Sequence, residues 1–206
     1  MDSQASKHID WCLKKAKKEI EECKKQGKKA RHRGILRIEP DKNLALKHLE
    51  KARHNLEVFR LLRKNGFSDW SVTAGFYTLY HCFLAIAVKY GYESRNQACT
   101  IALIESLREE GKISINLDII EFMKYEEEEN NHEYSIIELR EDYTYGTDLT
   151  VKNEKHLDKI EKLCVEFIDA TKDIIYQALS TNQKGLQNGL KKGLKDGLDK
   201  GLKKGL

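Results

Sequence analysis

The sequence predicts an all-α protein, and three observations carry that expectation. The chain has 206 residues and a single proline, Pro40. A many-stranded fold needs far more turn punctuation than that. Leu, Lys and Glu, all strong helix formers, are abundant. Apolar residues recur three and four positions apart through several segments of about 20 residues, the signature of amphipathic helices. With 40% hydrophobic residues the chain can bury one core, and the expected architecture is an up-and-down helical bundle with appendages.

The elements follow in order. Residues 5–26 place Ile9, Leu13, Ala16, Ile20 and Cys23 on one stripe, which predicts a first amphipathic helix ended by Gly27. "KKARHRGILRIEP" reads as a basic connector. Asp41 then caps a helix over 42–64 that buries Leu49, Ala52, Leu56 and Phe59 and stops at Asn65-Gly66. The segment 69–90, "DWSVTAGFYTLYHCFLAIAVKY", carries two stripes. Trp70, Ala74, Tyr77, His81, Leu84 and Val88 form one, and Phe76, Leu79, Phe83, Ile86 and Tyr90 the other. A helix apolar on two faces is expected to be central and covered from both sides, with His81 packed in the core.

Further helices are expected at 95–110, ended by Gly111, at 117–129, running into "EEEENN", and at 134–142. A last long helix is expected over 150–179, with Leu157, Ile160, Cys164, Phe167, Thr171, Ile174 and Ala178 on its buried face. From residue 183 the sequence becomes a low-complexity tail in which Gly-Leu recurs six times. The expected organisation is therefore a basic helix and connector at 1–40, a bundle at 41–182, and a basic tail at 183–206.

Net charge is +4 overall but segregated. Residues 1–40 carry 12 basic and 6 acidic side chains, residues 41–182 carry 18 and 25, and residues 183–206 carry 7 and 2. An acidic body does not attract nucleic acid by its field, so phosphate binding must come from the ends or a local cleft. No run of roughly 18 uninterrupted apolar residues exists, so no integral membrane segment is expected, and the N-terminus lacks the apolar run of a signal peptide. Five cysteines with no C-x-x-C pair suit a reducing cytosol, and the expected location is cytoplasmic. No cofactor is expected, and no ligand spacing supports zinc.

Residues 45–103, from "ALKHLEKARHNLEVFRLLRKNGFSDW" to "YGYESRNQACTIAL", together with "LREDYTYGTD" at 139–148 and the helix after it, resemble HEPN domains over about 42–178. The resemblance implies a bundle of four or five helices, commonly dimeric, from prokaryotic toxin–antitoxin and defence systems. It also implies a small nucleotidyltransferase as partner protein. Many members are metal-independent endoribonucleases with an arginine, then four to six residues, then a histidine, just before the last long helix. In such a site the arginine stabilises phosphorane charge and the histidine moves a proton.

Arg140 stands where that arginine falls, but Tyr145 stands where histidine is expected. None of the seven histidines lies at the required distance after an arginine. Tyrosine titrates near pH 10 in peptides and is a poor general base at neutral pH. The expectation is a non-canonical member that binds nucleotide or RNA, whether or not any activity remains, through Arg140, Asp142, Tyr143 and Tyr145. The rival is a dimerisation or scaffold module in which Arg140 pairs with Asp142, Glu141 or a partner carboxylate. Arg95 and Asn96, in "SRNQACT", are a second binding candidate, where free amides and a guanidinium can meet an anion. Ser94 capping that helix, with Arg95 on the surface, explains the same residues. The run "YEEEENNHE" at 125–133 reads as a solvated helix end.

Overall fold

The computed structural model describes residues 3–124 and 135–177; the acidic run 125–133, Ala178 and the tail 183–206 lie outside the described residues. Among them are seven helices and a two-stranded sheet: α1 (Gln4–Lys25), β1 (Ile35–Arg37), α2 (Lys42–Lys64), α3 (Ser68–Lys89), β2 (Tyr92–Ser94), α4 (Gln97–Glu109), α5 (Leu117–Phe122), α6 (Ile136–Tyr145) and α7 (Glu154–Tyr176). The protein is mostly helical, as the sequence predicts. The described residues up to Ile175 belong to one compact unit.

Local chemistry fixes most boundaries. The Ser3 hydroxyl accepts from Ser6 N at the start of α1, and the Asp41 carboxylate from Leu44 N at the start of α2, each satisfying an amide the helix cannot pair itself. Ser135 and Glu138 form a reciprocal capping box at α6. Gly66 (φ +83°) and Gly91 (φ +82°) take the left-handed turn that stops α2 and α3.

The connector 27–41 contains a strand that periodicity did not reveal. Ile35 pairs with Ser94 and Arg37 with Tyr92 in an antiparallel ladder. A three-residue strand is too short to show an alternating pattern.

The core gathers on α3, which packs against α2, α6 and α4. Phe59, Phe76, Phe83 and Phe167 are fully buried, each contributing about 1.5–3 kcal/mol by apolar burial. Phe83 meets Phe167 edge-to-face at 5.2 Å. Among the described helices α3 alone is long and apolar enough to cross a membrane, and 72% of the qualifying window is buried inside the protein.

The covering expected for α3 is nearly complete on one stripe and partial on the other, where Val88 is buried. Phe76, Leu79, Phe83 and Ile86 are buried, whereas Trp70 is 55% and Tyr77 44% exposed and His81 is half-buried.

On the outside, Arg63 of α2 reaches Glu154 (2.8 Å), Asp158 (2.7 Å) and Glu161 (3.4 Å) of α7, and Arg60 reaches Glu161 (2.7 Å). One guanidinium shared by three carboxylates pins α2 beside α7 better than isolated surface pairs do.

Candidate functional site

The strip at 139–148 belongs mainly to helix rather than to a turn, because the capping box starts α6 at Ile136 and the helix runs through Tyr145. Leu139 faces the core. One residue on, the Arg140 guanidinium lies over the Phe76 ring at 4.5 Å, and its Nη2 donates to Glu141 at 3.1 Å. Its side chain is only 19% exposed. A planar cation on an aromatic face, neutralised by the adjacent carboxylate, is a packing arrangement that joins α6 to α3.

The carboxylate paired with Arg140 is thus Glu141, while Asp142 is exposed. Tyr143 is half-buried against the core, and Tyr145 is 81% exposed. Thr144 bonds Thr73 of α3 at 3.1 Å. The strip therefore brings its residues to different surroundings instead of converging them on one reacting atom.

Arg95 and Asn96 separate by role. Asn96, not Ser94, caps α4, its side chain accepting from Cys99 N. Ser94 lies in β2 and accepts from the Thr100 hydroxyl at 2.8 Å. Thr100 also meets the Tyr80 hydroxyl at 3.3 Å, and Tyr80 stacks on Phe76. Arg95 points outward, its Nε donating to Glu93 at 2.7 Å, with 55% of the side chain exposed.

Arg95 borders an open cleft of about 610 Å³ between the end of α1 and the basic connector, where Lys29, Arg31, His32 and Arg33 meet Glu19 and Glu22. Glu19 is engaged by Arg33 N. The His32 side chain is only 4% exposed. Its Nδ1 accepts from Gly34 N at 3.4 Å, and its Nε2 has no hydrogen-bond partner among the described residues. Glu93 Oε1 is 3.5 Å from that nitrogen, close enough for attraction but outside hydrogen-bond geometry. The sequence shows these residues only as a basic run; the β1–β2 pairing is what carries Arg95 to them.

His81 is not packed in the core. It is half-buried, and its Nδ1 meets Nδ1 of His48 from α2 at 3.1 Å, one ring donating and the other accepting. Burial, then the neighbouring His48 and Lys51 charges, lower the His81 pKa to about 4, and burial lowers that of His48. The partner is 33 residues away, so the α3 stripe alone could not reveal it.

The cysteines divide likewise. Cys12 of α1 and Cys99 of α4 form a disulfide, which the reading of the cysteines as suited to a reducing cytosol did not include. Their pairing depends on α1 lying along α4, which no local pattern announces. Cys82 and Cys164 are buried thiols; burial pushes Cys82 up to about 12 and Cys164 well above its ordinary value. Neither is a nucleophile at neutral pH. No family model matches the chain, and no curated protein does.

Proposed function

We propose that the chain is a non-catalytic, HEPN-like helical module that binds phosphates of RNA or a nucleotide, in a toxin–antitoxin or nucleotidyltransferase-linked system. The observation that carries this reading is the cleft in which Arg95 joins Lys29, Arg31 and Arg33 around a buried His32 nitrogen without a hydrogen-bond partner. Guanidinium and ammonium groups around a buried ring nitrogen suit phosphate oxygens. Arg140, held against Phe76 and Glu141, supports the bundle instead. With Tyr145 exposed and no histidine in Arg140's described contacts, acid–base cleavage of RNA lacks its proton carrier.

The test is fluorescence anisotropy with a labelled single-stranded RNA, and with ATP as competitor, across a salt series. Arg31→Ala, Arg33→Ala and Arg95→Ala each remove a cation that neutralises one phosphate, and each is expected to reduce the salt slope by about 0.7. Arg140→Met is expected to bind as wild type while losing about 1 kcal/mol of stability, the worth of a part-buried cation–π contact. Loss of binding in Arg140→Met with the three cleft variants unaffected would move the site to α6, and RNA cleavage surviving EDTA would overturn the non-catalytic reading.

The second reading, a dimerisation or scaffold module, is favoured by the open stripe of Trp70 and Tyr77 on α3. Trp70→Glu with Tyr77→Glu is then expected to halve the mass seen by light scattering; an unchanged mass rejects that stripe as the interface.

A further inference from the structure

His8 stands one helical turn before Cys12 on α1, so the two side chains share a face. Cys99, in the first turn of α4, faces them. The ring nitrogen of His8 and the sulfurs of Cys12 and Cys99 all lie within 4.8 Å of one another. Cys12 and Cys99 are completely buried, while His8 is half-buried, packed edge-on to Trp11. A disulfide alone has no use for an imidazole at that distance.

We propose that His8, Cys12 and Cys99 form a redox-gated zinc site, closed to metal as the disulfide and open to it as the dithiol. Two thiolates and one imidazole are the donor set that zinc, a borderline-soft cation, accepts in a tetrahedral shell. Bonds of about 2.3 Å to sulfur and about 2.0 Å to nitrogen place such donors roughly 3.5–4 Å apart, within the span found here. His8 also lines a cavity of about 590 Å³, together with Gln4, Gln97, Glu105 and Glu141. Water completes the shell.

The chemistry balances with a small thiol as reductant. Two equivalents of RSH break the Cys12–Cys99 bond by exchange, giving two cysteine thiols and one RS–SR. Zinc then displaces the two thiol protons, so binding strengthens as pH rises. Cys82 and Cys164 lie outside this His–Cys–Cys cluster, and burial raises the pKa of both thiols.

The full chain, reduced under anaerobic conditions and freed of reductant, is titrated with cobalt(II) and then with zinc. One equivalent of cobalt should produce thiolate-to-metal charge-transfer bands and the strong visible bands of a tetrahedral ion, and zinc should bleach them. The oxidised protein should show neither, and should present three of its five cysteines as thiols to a thiol reagent in denaturant.

His8→Ala should weaken cobalt binding at least as much as the roughly 10–100-fold lost when a group that merely orients a ligand is removed. Cys23→Ser should change nothing. Circular dichroism confirms that each variant is folded; should Cys12→Ser not fold, Cys99→Ser and His8→Ala still decide. A reduced, folded chain without charge-transfer bands, or His8→Ala binding as tightly as wild type, overturns the proposal.

Discussion

His48 and His81, Nδ1 to Nδ1 at 3.1 Å, make a contact that needs at least one uncharged ring to accept. In the unfolded chain a histidine titrates near 6.5; in the fold His81 titrates at about 4. Above pH 6.5 both states are neutral and the arrangement carries no protonation cost. Between 6.5 and 4 the unfolded chain takes up a proton that the folded one refuses, so stability falls as pH falls. Melting temperature measured from pH 7 to pH 4 should therefore drop more steeply for wild type than for His81→Gln, and parallel curves would count against a depressed pKa. The reading of His81 as a core residue from its stripe failed because periodicity assigns a face, not what lies opposite. Arg140 teaches the same lesson, since the ring beneath its guanidinium belongs to Phe76 on another helix.

At the scale of elements, boundaries were legible wherever a cap or a left-handed glycine marks them, as at Asp41, Gly66 and Gly91. The sheet was not, because its two strands are distant in sequence; the α6 boundary and the Asn96 cap of α4 were missed although their capping partners lie three residues on. Gly75 shows what distance in sequence hides. Inside α3 it costs helix propensity relative to alanine, yet a Cβ there would collide with Ile160 Cγ2 of α7 and press on Phe59 of α2 at 3.3 Å. Its carbonyl also accepts from the Cys164 thiol at 3.5 Å. At this glycine, side chains of α2 and α7 press on the backbone of α3. Gly75→Ala, stabilising on propensity alone, should instead destabilise by about 1–3 kcal/mol through overpacking. Urea unfolding measures it, and a gain in stability would mean that α7 yields readily.

Over the whole molecule, the charge pattern of the sequence proved informative about place: the basic segment before residue 40 contributes Lys29, Arg31 and Arg33 to the cleft. What composition did not disclose is how α1 is attached. Its buried face is narrow, with Ala5, Ile9, Cys12 and Ala16 against α4 and β1, and three of these side chains are small, so apolar burial alone holds it modestly. The Cys12–Cys99 bond closes a sequence separation of 87 residues and restricts the unfolded chain accordingly. A loop of that size is worth about 4–5 kcal/mol by chain entropy, and measured disulfides more often give about 2–4. Thermal unfolding of the metal-free protein should thus shift markedly downward on reduction. Cys99→Ser should melt where the reduced wild type does and ignore the reductant. If reduction left the melting temperature unchanged while mass spectrometry showed the bond broken, α1 would be held by its packing alone, and the disulfide would contribute nothing to the stability of the bundle.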